Sequence, residues 1–393
     1  MGLAYDPYSE EVRTNPGPIY ARLRAEQPVY FIEQFDAWAL SKFEDVWQAS
    51  LDGASYTAAN GTSMDALFKS SSRPPSVFLF KDPPEHSLHR NLIRAPYLKD
   101  GVAELETKVR GLVRNQLALQ RQAGAVEVYS LSSQVALAVI ADLIGLELPV
   151  ILKVRTLIDG FYRRRPGVDG VTPEGAEAFA ELHDYLLELI AQLRRDPPDP
   201  ATHVGAWLAG GARLDAIDDE ALVFSIFAMT VTGSDTVPLS TAATVYYLAA
   251  HPDQMAAVRT DSSLVAHAFE EATRFDQPTN VLGRTVRREV EIRGQRIKPG
   301  QKVLFLYASA CRDEQEFEAA DQFRIDRRPE RTLAFGAGAH SCLGQHLARL
   351  EGRVIVEELL AAAPELVVDV AACRRVYGEF LQGFNYLPIE LRG

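Results

Sequence analysis

The residues best placed to do chemistry surround Cys342, in the segment FGAGAHSCLGQHLARLEGR at positions 335–353. Three glycines bracket the cysteine, and a helical pattern follows immediately. Glycines let the backbone approach closely, and the free amides at a helix start stabilise a thiolate. Such a thiolate is a metal ligand or a nucleophile with His340 or His346 as its base, although a zinc site needs more ligands than the spacing supplies. An unreactive free cysteine in a glycine turn is the third alternative.

The elements that must position this loop are mostly helical. Apolar residues recur at three- and four-residue spacing, which predicts helices over Ala103–Gln120, Ser130–Ile144, Pro173–Arg194, Asp218–His251 and Gln345–Ala362. Strands are predicted around Pro28–Ile32, around Ala37–Leu40 and within Asn280–Tyr307, with loops at Gly53–Ser72 and Asp196–Thr202. Neither a βαβ rhythm nor a linker is visible. We therefore expect a mainly α (α+β) chain that folds as a single domain over residues 1–393.

Composition narrows the class of protein. The 393 residues carry a formal net charge of −12, with 47% hydrophobic and 24% charged residues. These values are typical of a globular protein and argue against nucleic-acid binding, which needs clustered basic residues. The three cysteines cannot all pair, which favours a reducing compartment. The N-terminus does not resemble a signal peptide, and no strongly apolar stretch approaches the roughly 20 residues of a membrane span. The sequence therefore predicts a cytoplasmic protein without a membrane anchor.

Four motifs in order carry a family resemblance. The segment FGAGAHSCLG resembles the haem-binding loop of the cytochrome P-450 family, Phe-x-x-Gly-x-His/Arg-x-Cys-x-Gly. Glu271 and Arg274 match its Glu-x-x-Arg signature, TGSDT at 232–236 its oxygen-activating helix motif, and DPPEHSLHR at 82–90 the start of a haem-flanking helix. The resemblance implies the P-450 fold, a helix-rich body with a smaller β-rich region and haem between distal and proximal helices.

The resemblance also implies the cofactor and its axial ligand. The cofactor would be haem b (iron protoporphyrin IX), with Cys342 as the thiolate ligand that favours O–O cleavage. The amides of Leu343 and Gly344 would hydrogen-bond toward the sulfur, and Phe335, followed by Gly336 of the same loop, would shield it from water.

Four side chains are candidates for the two haem propionates. His86 and Arg90 stand four residues apart on one face of a predicted helix. His340 lies two residues before the cysteine, and Arg284 matches a strand position that reaches a propionate in the family. Without the resemblance, each of these four side chains would be interpreted as a solvated charge on the protein surface.

Asp235 and Thr236 are the candidates for oxygen chemistry. Reduction of bound dioxygen needs protons delivered while bulk water is kept out, and an acid beside a hydroxyl can hold a water for that relay. Pro238 has no N–H for the carbonyl of Ser234, so the helix should open at this turn. Thr232 stands where the family has a small residue, and its hydroxyl either satisfies a backbone carbonyl or reaches toward bound oxygen.

Glu271 and Arg274 would form a buried structural network by resemblance, although the same spacing also suits a surface ion pair. The family often supplies a third arginine before a Phe, whereas this chain has Gln322 before Phe323. Arg324 is nearby but points away if the segment is extended. The network is therefore expected to be completed in another way.

The expected substrate pocket is mostly apolar, which predicts a hydrophobic substrate. Its residues are Phe78, Leu79, Ala228, Val231, Thr232, Asn280, Val281, Phe380 and Leu381.

The resemblance implies a monooxygenase that inserts one oxygen atom of O₂ into a hydrophobic small molecule. Electrons would come from a separate ferredoxin or flavodoxin with an NAD(P)H-dependent reductase, docked near Arg90, Arg94, Arg349 and Arg353. A pairing of Arg349 and Arg353 with nearby Glu351 and Glu357 is the alternative for that patch. The alternatives for the activity are a peroxygenase or oxidative coupling enzyme of the same fold and, less favoured, a non-catalytic haem sensor.

Overall fold

The computed structural model describes residues 2–69, 77–210 and 217–393, and these ranges are mostly helical. The helices are α1 Glu10–Thr14, α2 Gly17–Glu26, α3 Phe43–Leu51, α4 Met64–Phe68, α5 Glu85–Ile93, α6 Lys99–Gln122, α7 Val128–Ile144, α8 Leu148–Tyr162, α9 Pro173–Leu193, α10 His203–Gly210, α11 Asp219–Ser234, α12 Thr236–Ala250, α13 Pro252–Thr260, α14 Leu264–Phe275, α15 Tyr307–Ala310 and α16 Gln345–Ala362.

The strands form small sheets beside the helical body. They are β1 Val29–Ile32, β2 Ala37–Leu40, β3 Tyr56–Thr57, β4 Val126–Glu127, β5 Val281–Val286, β6 Val290–Ile292, β7 Gln295–Ile297, β8 Lys302–Leu306, β9 Glu365–Val368, β10 Arg374–Arg375, β11 Phe384–Tyr386 and β12 Pro388–Arg392. The largest sheet has the order β1-β2-β8-β5-β3, with β2 and β8 parallel and the other neighbours antiparallel. A second sheet places β12 between β4 and β9.

The predicted elements are confirmed with small shifts at their ends. The predicted Gln345–Ala362 helix is α16, and the other predicted helices correspond to α6, α7, α9 and the pair α11–α12. Within the predicted loop Gly53–Ser72, the structure has β3 and α4, and residues 70–72 lie outside the described ranges. Helix α8, whose 15 residues follow α7 after a three-residue connection, is not among the predicted helices.

A long central helix organises the core, and it is interrupted at Asp235 between α11 and α12. This break lies three residues before Pro238, as predicted from the missing proline N–H. Gly233 allows close packing against α7, because a Cβ at this position would lie 2.8 Å from the Cγ1 of Ile140. The interruption therefore falls where the helix is fixed against its neighbour.

The central helix is long and apolar enough, by length and composition, to cross a membrane. Its most apolar window is 72% buried against the rest of the fold. The helices α11 and α12 carry apolar residues on all of their faces, which is typical of a helix in the core of a large domain. The prediction that no apolar stretch approaches membrane-spanning length is therefore corrected, because α11 and α12 together form a 32-residue apolar helix.

Candidate active site

A cavity of about 750 Å³ lies beside the interruption in the central helix. Its walls include residues of α11 and α12, the loop that carries Cys342, the first turns of α16, and side chains of α5 and β5. The cavity therefore brings together residues that lie more than 250 positions apart in the sequence.

The loop before α16 presents the Cys342 sulfur to this cavity. The Cys342 N–H donates to the carbonyl of Phe335 at 2.8 Å, which closes the loop. Gly338 has a φ of +71°, and a Cβ there would lie 2.2 Å from the Ser50 carbonyl oxygen, so only glycine fits. Cys342 is exposed to the cavity, but the surrounding protein still desolvates its thiol and raises its pKa, while a hydrogen bond from the Gly344 amide opposes this effect. The sulfur is thus held in an apolar setting with one amide donor.

Phe335 lines the cavity beside the cysteine. The guanidinium of Arg349 lies 4.4 Å from the centroid of its ring, and Nε of Arg349 donates to Glu270 at 2.7 Å. The ring is thus fixed between the loop and α16. Gly336, Leu343 and Gly344 also line the cavity.

Four basic side chains converge on one part of the cavity, and we call them the cation cluster: His86, Arg90, Arg284 and His340. His86 and Arg90 come from one face of α5, as predicted. The imidazoles of His86 and His340 lie 4.2 Å apart between ring centroids. Both ring nitrogens of His86 and Nε2 of His340 are buried without a hydrogen-bond partner among the described residues.

Burial lowers the pKa of His86 to about 4 and that of His340 to about 3, and the two arginines of the cation cluster add to the effect. Burial also lowers the pKa of Arg90 and that of Arg284. The nearby carboxylate of Asp82 accepts hydrogen bonds from Arg287, Thr57 and the Ala58 amide. At neutral pH the two imidazoles are therefore uncharged, and the cation cluster can bind an anion through the charge of its two arginines and the unpartnered ring nitrogens of its histidines.

Asp235 lies at the helix interruption, where its carboxylate pairs with Arg155 of α8. Arg155 also donates to the Ser234 hydroxyl at 3.0 Å and pairs with Asp159 at 2.6 Å. Burial raises the pKa of Asp235, and the contact with Arg155 opposes that shift. Arg155 is absent from the predicted site because its role arises only when α8 packs on α11.

The two threonines near Asp235 differ in their hydrogen bonds. The Thr232 hydroxyl donates to the Ala228 carbonyl at 2.8 Å, which selects the first of its two predicted roles. Thr236 lines the cavity, and its hydroxyl makes no hydrogen bond to another described residue. Thr236 is therefore the hydroxyl available to a bound molecule.

The buried network around Glu271 is completed by Arg327. Glu271 pairs with Arg274 at 2.7 Å and with Nε of Arg327 at 3.2 Å, and it accepts the Arg324 backbone N–H at 3.0 Å. The Arg324 side chain points away and pairs with Asp326. The prediction that the network is completed in another way, with Arg324 pointing away, is confirmed.

Two predicted pocket residues, Asn280 and Val281, do not line the cavity. The Asn280 side chain accepts from Tyr20 at 2.9 Å and donates to the Glu379 carbonyl at 2.8 Å, while Val281 packs in the apolar cluster under the sheet. The cavity is lined by Leu282 instead. Side chains alternate along a strand, so Val281 faces away from the side on which Leu282 lies, whereas Asn280 precedes the strand and is held by its own hydrogen bonds.

The remaining predicted pocket residues do line the cavity: Phe78, Leu79, Ala228, Val231, Thr232, Phe380 and Leu381. The prediction missed four further phenylalanines and a tyrosine of α8, α9 and α11. Phe224 and Phe227 could have been predicted from the sequence. The helical spacing that places Ala228 and Thr232 on the same face as Thr236 continues one turn further back, to these two residues.

The basic patch expected at the proximal surface is largely neutralised. Arg349 pairs with Glu270, and Arg353 pairs with Glu106 at 2.6 Å and with Glu357 at 2.9 Å. The alternative of internal pairing therefore holds, with the correction that Glu351 is not a partner. Glu351 is buried, and burial raises its pKa to about 8.

Comparisons with known proteins agree with this geometry. A family model described as Cytochrome P450 matches residues 172–362. The chain is 31% identical to Cytochrome P450 130 of Mycobacterium tuberculosis, over 96% of this chain and 95% of the relative. It is 30% identical to Cytochrome P450-terp of Pseudomonas sp, over 95% and 92%. The crystal structure of CYP109E1 from Bacillus megaterium in complex with testosterone has a TM-score of 0.87 at 23% identity, over 97% of this chain and 99% of that chain.

A thiolate loop, an anion-binding cluster and an interrupted central helix around one cavity define a haem-thiolate enzyme of the P450 fold. The chain belongs to the cytochrome P450 family. It is a P450 monooxygenase, and the family's cofactor is haem b held by a cysteine thiolate.

The residues that line the cavity fit that cofactor. Haem b carries two propionates, and the cation cluster offers buried donors that lack protein partners. The sulfur of Cys342 faces the same cavity between apolar side chains and glycines. The cavity therefore offers what haem b requires: apolar walls, donors for two carboxylates and one thiolate ligand.

Proposed function

We propose that this chain oxidises a hydrophobic small molecule with O₂, with Cys342 as the haem ligand and the cation cluster as the propionate site. The convergence of one cysteine and four basic side chains on one cavity carries the proposal. The bound haem supplies dioxygen activation under the influence of its thiolate ligand. The chain's own residues then position, shield and deliver protons.

The Gly344 amide moderates the charge on the Cys342 sulfur by its hydrogen bond, and Phe335 excludes water from it. Thr236 also lines the cavity, at the interruption of the central helix, and its hydroxyl has no hydrogen-bond partner among the described residues. Asp235 is adjacent to it, and we propose that it passes protons through a water held at this turn. Arg155 keeps the carboxylate in place between turnovers.

Electrons would come from a separate ferredoxin or flavodoxin with its NAD(P)H-dependent reductase, since P450 enzymes generally take electrons from such partners. The expected location is the cytoplasm, and the burial of the long apolar helix within the fold supports this assignment. The substrate pocket of the proposal keeps the seven predicted residues that line the cavity and replaces Asn280 and Val281 by Leu282.

The test of the ligand assignment is spectroscopic. Reduction of the haem-loaded protein under carbon monoxide should give the red-shifted Soret band of thiolate ligation, and Cys342→His should replace it by an imidazole-type spectrum. Cys311→Ala serves as a control, because Cys311 is buried under the sheet and lies outside the cavity. An unchanged spectrum in Cys342→His would contradict the assignment.

A further inference from the structure

Six aromatic side chains form one continuous surface of the cavity, and we call this surface the aromatic wall. They are Phe161 and Tyr162 of α8, Phe179 of α9, Phe224 and Phe227 of α11, and Phe380 of the C-terminal turn. Each of them is only half-buried, so part of each ring is left uncovered by the protein. Four separate segments of the chain thus contribute rings to the same surface.

Phe227 lies at the centre of the aromatic wall. Its ring is edge-to-face with Phe161 at 5.9 Å and with Phe179 at 5.8 Å, at interplanar angles of 81° and 84°. Tyr162 is nearly parallel to Phe227 at 18°, and Phe380 is nearly parallel to Tyr162 at 17°. Mutual contacts of this kind fix ring orientations before a ligand arrives, which lowers the entropy lost on binding.

The acidic side chains that line the cavity beside the aromatic wall are paired with basic ones. Asp235 pairs with Arg155, and Asp65 pairs with Lys69 at 3.7 Å and with Arg164 at 3.5 Å. A charged substrate group placed there would lose its hydration without gaining an unpaired counter-charge among the described residues. The wall therefore favours a neutral ligand.

We infer that the substrate is a neutral molecule with a flat aromatic ring system that packs against the aromatic wall. This inference rests on the proposed function, because the wall lies in the same cavity as Cys342 and Thr236. Near-parallel rings accept a flat ring by offset stacking, whereas a saturated ring of equal carbon number gains only burial of its area. Phe227 is accordingly a specificity-determining residue.

The test compares ligands of matched size on the haem-loaded protein. Naphthalene and decalin share ten carbons and no charge, and 2-naphthoate adds one negative charge. Binding is followed by the spin-state shift of the haem and by equilibrium dialysis, so that a ligand that binds without a spectral shift is also detected. We expect naphthalene to bind about tenfold tighter than decalin, equivalent to about 1.4 kcal/mol, and 2-naphthoate to bind more weakly than naphthalene.

Phe227→Leu should reduce the preference for naphthalene over decalin to about twofold or less, since one branched aliphatic chain replaces the central ring. Phe31→Leu is the matched control, because Phe31 is an exposed phenylalanine of β1 outside the cavity. If Phe227→Leu fails to fold, the three ligands still decide the matter on the wild-type protein. Equal binding of naphthalene and decalin, tighter binding of 2-naphthoate, or no binding of any ligand would overturn the inference.

The two proposals fail in distinguishable ways. A thiolate-type carbon monoxide spectrum without a preference for aromatic ligands would remove the substrate class and leave the proposed function intact. An absent thiolate signature would instead remove the ligand assignment on which the proposed function depends.

Discussion

Replacing Arg327 with alanine tests how the network around Glu271 is completed. The Arg327 side chain is 9% exposed, and its Nε donates to Glu271 at 3.2 Å. Its other nitrogens donate to the carbonyls of Glu318 at 2.6 Å and Ala319 at 3.0 Å. Arg327 therefore joins the carboxylate on α14 to the loop that precedes the Cys342 segment.

The expected cost follows from what stays behind in the variant. A hydrogen bond to a charged group contributes about 1.5–3 kcal/mol. Glu271 would keep Arg274 and the Arg324 amide, so the larger penalty of a completely unpaired buried charge does not apply. In the variant, water can solvate the carbonyls of Glu318 and Ala319. We therefore expect the free energy of unfolding to fall by about 3 kcal/mol. An unfolding entropy of about 0.8 kcal/mol/K for a chain this long converts that loss to about 4 °C in Tm.

The matched control is Arg324→Ala. Its side chain is 37% exposed and, among the described residues, pairs with the exposed Asp326 alone, so its removal should leave the urea midpoint close to that of wild type. Urea midpoints of both variants are measured at one haem concentration, because bound cofactor adds to apparent stability. Equal midpoints for Arg327→Ala and wild type, or equal losses in both variants, would refute the role assigned to Arg327.

Three other predictions follow from the site. Because burial raises the pKa of Glu351 from 4.5 to about 8, stability is greatest while it is protonated and is lost as pH rises through about 8. Wild type should therefore lose about 3 kcal/mol relative to Glu351→Gln between pH 5 and 8 in urea melts, and parallel pH profiles would contradict this. Thr236→Ala should keep NAD(P)H consumption but divert electrons to hydrogen peroxide. Asp235→Asn should instead enlarge the solvent isotope effect on turnover. If both variants couple NAD(P)H consumption to product formation as well as wild type does, the proton path lies elsewhere. Arg94→Glu should slow reduction of the haem by a ferredoxin severalfold at low salt. Arg353→Glu should slow it as well and should also lower the stability of the protein, because its ion pairs are lost. Equal reduction rates across a salt titration would show that the partner docks without electrostatic steering.

Local sequence patterns predicted the parts of the site whose chemistry depends on near neighbours. The spacing of His86 and Arg90 places them on one helix face whatever the rest of the fold does. Likewise, Pro238 removes a specific hydrogen-bond donor, so the break at Asp235 follows from covalent structure alone. These features survive any arrangement of the distant elements.

Contacts between distant segments could not be predicted in this way. Arg155 reaches Asp235 only because α8 packs on α11, and Arg327 reaches Glu271 only because a loop 56 residues away returns to α14. The error at Val281 has a related cause, since the face that a strand residue presents depends on how β5 pairs with β8. In each case the determining information lies in packing between elements and not in the local pattern.

The position of α8 connects substrate binding to the acid at the helix interruption. Within one helix, Arg155 holds Asp235, and Phe161 and Tyr162 supply two rings of the aromatic wall. Immediately after the helix, Arg164 donates to the buried Glu379 at 2.8 Å, next to Phe380 of the same wall. A shift of α8 large enough to open the wall would therefore also release Asp235 from Arg155. The aromatic wall and the position of the acid therefore both depend on the packing of α8.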